Sequence, residues 1–299
     1  LITSHIFSEG ENEMILSFRE QLQRAEEHHY AVIAPDFPNL GFARLLIHEA
    51  EKLKAPLLLS YHDSFIQACE TSTLESFFRI LRDECEMASV PLTIHLDHAL
   101  EIEWIQRCIE MGFNSVMIDA SSETYAVNVE RTQKVVAMAK PFGVDVEAEL
   151  GHVGTGEKYL TDDMREATFT VPEEAIAFVQ ETDVTALAVS VGTVHGRYQG
   201  EPKLNFELLE KLHQVVPVPL VLHGSSGSGA ENISKAVKLG VRKINVFTDL
   251  FNAYRTATAQ IASDPLCDLP AIVAAQQEAV GSVLKSYLEI SGSIGAGNL

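Results

Sequence analysis

Eight short apolar runs recur along the chain, spaced so that a helix fits between each pair. They are 31–37 (AVIAPDF), 56–61 (PLLLSY), 91–97 (PLTIHLD), 115–120 (SVMIDA), 144–150 (VDVEAEL), 186–192 (ALAVSVG), 219–224 (PLVLHG) and 243–248 (KINVFT). Their hydrophobicity is nearly continuous rather than alternating, as expected of strands covered on both faces. The segments between them carry helical periodicity. In 39–53, Leu40, Ala43, Leu46, Ile47 and Ala50 fall at spacings of three and four. Segments 101–111, 128–139, 205–215 and 229–239 behave alike, and 173–182 follows Pro172, a residue suited to a helix start. Strand and helix alternating eight times predict one closed, eight-stranded parallel β/α barrel, the TIM-barrel class. An extra N-terminal helix over 14–27 is placed to close the barrel bottom, and a last helix covers 271–288. No Pro/Gly/Ser-rich linker divides residues 1–299, which read as a single domain.

Composition narrows the function classes. Hydrophobic residues make up 46% of the 299, enough for a sizeable core. Lys and Arg number 22 against 42 Asp and Glu, a net charge of −20 that repels nucleic acid and anionic membranes. A small anionic substrate stays open, because a phosphate needs only local donors. Cys69, Cys85, Cys108 and Cys267 form no CxxC pair, which fits reduced thiols. With no apolar run of about 18 residues and a start carrying Glu9, Glu11 and Glu13, the expected location is cytoplasmic.

In such barrels the chemistry gathers at the carboxyl ends of the strands. There this sequence places Asp36, His62, Asp97-His98, Asp119, Glu149, His195, His223, Asn245 and Thr248. So many polar side chains are expensive to desolvate without a purpose. His98, His195 and His223 admit two readings, a zinc set or three unrelated hydrogen-bonded histidines. Asp97 reads either as a proton-transfer group beside the metal or as a residue that orients a histidine or caps a helix. Asp97 and His98 both reach the mouth only if the strand is ending there. His95 shares the face of Asp97 and has a supporting place inside the barrel. Gly196, Gly224, Ser225 and Ser226 lie in turns after the sixth and seventh strands, and Asn245 and Thr248 stand on the last strand, where backbone N–H groups and side-chain donors suit a phosphate. Residues 149–157 hold Gly151, Gly154 and Gly156, so Glu157 is either a base carried on a moving loop or a solvated surface residue.

Together the motifs HLDHA (95–99), MIDAS (117–121), VEAELG (146–151), GTVHG (192–196), PLVLHGSSG (219–227), KINVFT (243–248) and GSIG (292–295) resemble the class II ketose-bisphosphate aldolases. The resemblance spans roughly residues 17–295. It implies zinc held by His98, His195 and His223, with Asp119 and Glu149 as supporting or alternative metal-site carboxylates. It implies Asp97 as the acid/base at the breaking bond and Glu157 as the group exchanging a proton with the dihydroxyacetone phosphate carbon. Gly196, Gly224, Ser226, Asn245 and Thr248 match positions that hold the phosphate end. The family also often uses a monovalent cation near these loops, and a homodimer or homotetramer is expected. The partner is a small phosphorylated sugar, and neither Lys158 nor Lys243 sits in a motif for an imine-forming nucleophile.

Departures fall on the first two strands. The family usually reads FN where this chain has Pro35-Asp36, and His62 stands where a small residue is common. Ser225 replaces the usual Gly or Ala. The resemblance implies that the first two strands partly recognise the aldehyde half. Two alternatives to a standard sugar bisphosphate follow, an altered aldehyde specificity or a non-catalytic companion subunit. A metal hydrolase on the same barrel would carry an HxH pair on strand one, which AVIAPDF lacks. A carboxylate at 36, and a tail (291–299) with no arginine, are expected to disfavour an aldehyde bearing a second phosphate.

Overall fold

A computed structural model describes residues 14–66, 71–155, 166–198 and 200–299. Eight parallel strands close on themselves in chain order: β1 (Val32–Pro35), β2 (Leu57–His62), β3 (Leu92–Ala99), β4 (Ser115–Ile118), β5 (Asp145–Leu150), β6 (Ala186–Val189), β7 (Leu220–Leu222) and β8 (Val241–Val246). Closure is direct, with Val32 opposite Lys243 and Pro35 opposite Val246. Every run read as a strand is one, so the barrel expected from the sequence is the barrel observed.

Helices cover the outside. They are α2 (Leu40–Leu53), α3 (Asp63–Ile66), α4 (Thr71–Glu86), α5 (Ile102–Met111), α6 (Tyr125–Ala139), α7 (Pro172–Thr182), α8 (Phe206–Val215), α9 (Ala230–Lys238), α10 (Thr248–Ile261) and α11 (Leu269–Ser291), after the leading α1 (Phe18–Glu27). Two details differ from expectation. The last strand ends at Val246, and Thr248 opens α10, because the backbone at Phe247 leaves the extended region (φ −133°, ψ −59°). Helices α4 and α10 add to those expected from the sequence; α10 buries only Leu250 and packs along α11.

Strand alternation sorts the side chains into two populations. Ile33, Leu57, Leu59, Ile94, Val116 and Val189 face the helices in one continuous apolar shell. Val32, Ala34, Leu58, Ala186, Ala188 and Val221 face inward and join Phe18, Leu22 and Ala25 of α1. The small inward alanines leave room for Phe18, which is fully buried and stacks on His95 with ring centroids 5.5 Å apart. Full burial of such a ring contributes about 2–3 kcal/mol. Ser17 caps α1 by accepting from the Glu20 N–H, and Gln21 donates to Leu57 O and Thr93 Oγ1 at the barrel floor. Helix α1 therefore plugs the bottom, which leaves the top as the open end.

At the top, β3 departs from regular pairing. His95 and Leu96 face Ser115 and Val116, but Ala99 faces Ile118, so β3 holds one residue more than its partner. His98 takes a left-handed conformation (φ 51°) at this bulge. Such a backbone costs about 1–2 kcal/mol for a residue with a side chain. This bulge brings neighbouring Asp97 and His98 to the same mouth. Pairing continues to Ala99, so an early strand end is not the cause.

Candidate functional site

The inward positions at the carboxyl ends open onto a cavity of about 280 Å³. It is lined by Asp36, His62, Asp97, His98, His195, Gly196, Gly224, Ser225, Ser226, Asn245, Phe247 and Thr248. Of the residues singled out from the sequence, His223, Asp119 and Glu149 are not part of this lining, and Glu157 lies outside the described residues.

Three histidines converge beside it. Ring centroids of His98 lie 4.8 Å from His195 and 4.5 Å from His223. One ligand atom from each histidine and one from Glu149 all fall within 4.8 Å of one another. Hydrogen bonds behind the rings fix which nitrogen faces forward. His98 Nδ1 donates to Asp119 Oδ2 at 2.8 Å, leaving Nε2 buried with no partner. His223 Nε2 donates to Glu147 Oε1 at 2.8 Å, leaving Nδ1 buried with no partner. Glu149 accepts the Val153 N–H at Oε1, and its Oε2 is likewise unpartnered, 3.3 Å from His223 Nδ1 without hydrogen-bond alignment. Unpartnered buried polar atoms are rare and costly, and here three of them belong to one donor set. Imidazole and carboxylate donors suit a divalent transition ion such as zinc. Asp119 differs from Glu149, because Ser121 donates to its other oxygen; it orients His98 and has no free atom forward.

Charge follows the same layout. Burial, then the neighbouring His98 and His223, hold the His195 imidazole well below its usual range and neutral. Burial opposes a charge on His223, yet its hydrogen bond to Glu147 and the adjacent Glu149 carboxylate lift it to about 10. A cation at Nδ1 needs the neutral ring, so its binding would compete with protonation of His223.

Asp97 sits beside this set, 1% exposed, with both oxygens accepting from Asn245 Nδ2 at 2.9 and 3.1 Å. Burial alone would raise its carboxyl. His98, His95, Lys243 and His223 outweigh burial and keep it ionised. Beneath it lies a charged layer in which His95 takes the supporting place expected of it and Glu147 and Lys243 are unexpected. Lys243 Nζ lies 2.9 Å from Glu147 Oε2 and 3.4 Å from His95 Nε2, and all three side chains are fully buried. His95 Nδ1 shares a hydrogen bond with Ser115 Oγ. His95, Asp97 and Glu147 also form a ligand-like triplet, but the Lys243 ammonium already supplies the cation there. Lys243 holds Glu147 down to about 2 against the effect of burial, so the His223 partner is a full carboxylate.

The turns after β6 and β7 lie against one another. Gly224 (φ 64°) comes so near Val194 that a Cβ would meet its backbone at 2.6 Å, and only glycine fits. Tyr198 clasps the two turns: its hydroxyl accepts from Val194 N–H and donates to Gly224 O at 2.7 Å. Thr248 stands at the amino end of α10, where backbone dipoles favour an anion. Two expected donors are turned elsewhere. The Asn245 amide serves Asp97, and the Ser225 hydroxyl donates to Asn245 O. Ser226 Oγ accepts the Asp249 N–H at 3.4 Å.

The model of class II fructose-bisphosphate aldolases matches residues 16–296. The chain belongs to the class II fructose-bisphosphate aldolase family. It is 37% identical to a 6-phospho-5-dehydro-2-deoxy-D-gluconate aldolase of Halalkalibacterium halodurans, covering 92% of this chain and 95% of the relative. It is 33% identical to a fructose-bisphosphate aldolase of Thermus caldophilus, over 94% and 99% of the two chains. Among solved structures, the YdjI aldolase of Escherichia coli K12 superposes with a TM-score of 0.82 at 31% identity, over 95% of this chain and 100% of that one. The protein is thus an aldolase, a carbon–carbon lyase of a metal-dependent class. Among the described residues, no helix is long and apolar enough to cross a membrane.

The aldolase's β1–β2 wall carries the two departures. Asp36 is 5% exposed and its Oδ1 has no hydrogen-bond partner. Burial, then the Asp97 charge, push its carboxyl well above the usual range. His62 lies with its ring 5.5 Å from that of His98, and burial lowers it, so it is neutral.

Proposed function

We propose that the aldolase reversibly cleaves a ketose phosphate to dihydroxyacetone phosphate and an aldehyde, with zinc held by His98, His195 and His223 and with Glu149 as a further donor. The observation that carries this reading is the buried, unpartnered His98 Nε2, His223 Nδ1 and Glu149 Oε2 converging beside an ionised Asp97. When bound, the ion supplies Lewis acidity that stabilises the negative charge developing on the ketone side. Asp97 takes the proton from the hydroxyl at the breaking bond and returns it during condensation. Asn245 holds that carboxylate in place through both its oxygens. Backbone N–H groups at Gly196 and Gly224, with Ser226 and Thr248, bind the phosphate end, aided by the α10 amino terminus. A monovalent cation beside these turns would offset part of the phosphate charge. Glu157 exchanges the proton on the dihydroxyacetone phosphate carbon. Lys243 is locked between Glu147 and His95, unavailable as an imine nucleophile. The working form is a cytoplasmic homodimer or homotetramer.

The test is Asp97→Ala. It should retain one zinc per chain by elemental analysis while aldol cleavage falls about 10²–10⁴-fold. Cleavage at the wild-type rate with zinc retained would remove Asp97 from the mechanism.

A further inference from the structure

We propose that Asp36 and His62 form the subsite that receives the aldehyde half of the substrate, and that they select a hydroxyl-bearing, unphosphorylated aldehyde. This rests on the aldol chemistry proposed above and names the class of its second substrate.

Asp36 directly follows β1 and His62 ends β2, across the barrel from the β6 turn that carries His195 and Gly196. Both line the cavity. Asp36 is anchored by its backbone: its N–H donates to Val246 O at 3.2 Å, and it pairs with Ser60 of β2. Its Oδ1 is nonetheless buried and unpartnered, and so is the Ser60 hydroxyl beside it. Left this way, each such atom keeps the desolvation cost of burial with no hydrogen bond to offset it. A ligand hydroxyl that reaches Asp36 recovers part of that cost.

His62 complements it. The Ser64 backbone N–H donates to His62 Nδ1 at 3.1 Å, and the Ser64 hydroxyl lies 3.0 Å from the same atom. A backbone N–H can only donate, so Nδ1 is an acceptor and the ring hydrogen of neutral His62 sits on Nε2. The wall thus offers one N–H donor and one free carboxyl oxygen. A hydroxyl group, which both donates and accepts, satisfies the pair.

A phosphate does not. It brings acceptors and negative charge, and among the described residues no Lys or Arg lines this cavity. If Asp36 is ionised it repels the phosphate; if it carries a proton it offers one hydrogen bond and no countercharge. Either state leaves a second phosphate without compensation in a partly desolvated place.

The experiment measures condensation of dihydroxyacetone phosphate with D-glyceraldehyde, L-glyceraldehyde and glyceraldehyde 3-phosphate, using the full chain loaded with zinc. One unphosphorylated aldehyde should exceed the phosphorylated one at least tenfold in kcat/KM. His62→Phe should raise KM for that aldehyde about tenfold with a smaller change in kcat, and Asp36→Asn should narrow the preference. The ratio between aldehydes does not move when a variant merely loses folded enzyme. A wild-type preference for glyceraldehyde 3-phosphate overturns the proposal, as does a ratio unchanged in both variants. Proton exchange on dihydroxyacetone phosphate alone separates the two levels. If wild type exchanges but prefers the phosphorylated aldehyde, only the subsite is wrong; without exchange, the proposed function falls and the subsite with it.

Discussion

The two sides of the mouth are built on opposite plans. On the β3–β5–β7 side, histidines facing the cavity are braced from behind: Asp119 holds His98, Glu147 holds His223, and Lys243 holds Glu147. On the β1–β2 side, Asp36 Oδ1 and Ser60 Oγ have nothing behind or before them. Bracing suits a guest that stays, because it fixes tautomer and ring orientation in advance. Open polar atoms suit a guest that leaves at every turnover, since its own groups complete the hydrogen bonds only while it is there.

The largest effect should come from removing one of the three histidines. His195→Ala should lose most bound zinc and reduce activity more than about a thousandfold, as expected when one of few ligands disappears. A full zinc equivalent with normal turnover would break the contrast between the two sides. One layer further back the effect should shrink. Glu147→Gln keeps the shape but weakens the acceptor of the His223 N–H, and zinc affinity should fall about 10–100-fold. Titration of the zinc-free variant with zinc measures this, and unchanged affinity would make Glu147 only a structural partner of Lys243. The smallest effect belongs to the open side. Asp36→Asn removes a carboxyl whose ionised form is disfavoured by burial and by the Asp97 charge, and at neutral pH the fold should gain about 1 kcal/mol, or roughly 1–2 °C in melting temperature. Calorimetric scans of the two proteins decide it, and a drop in melting temperature would show that Asp36 is braced after all.

The barrel was legible because buried parallel strands announce themselves as apolar runs, and all eight stood between periodic segments. Helix α10 was not, because it lies along α11 and buries only Leu250, so few of its residues mark a core-facing side. Within the mouth, His98, His195 and His223 showed as polar residues where strands end. Glu147 and Lys243 did not, since they stand within apolar strands where attention falls on the core. Alternation held the clue: Glu147 shares the inward face of Glu149, and Lys243 that of Asn245. The turned-away Asn245 amide and Ser225 hydroxyl had no sequence signal, because a residue's type does not say which neighbour its donor will meet.

The extra residue in β3 sets a trap for anyone who would tidy this protein. An engineer seeking an idealised backbone would delete the bulge and relieve the left-handed turn at His98. Restored alternation would then carry the imidazole to the outer shell, where Leu96 already points. Such a redesign could melt later than the parent and still be inert, because the irregularity is what lets two adjacent residues serve one mouth.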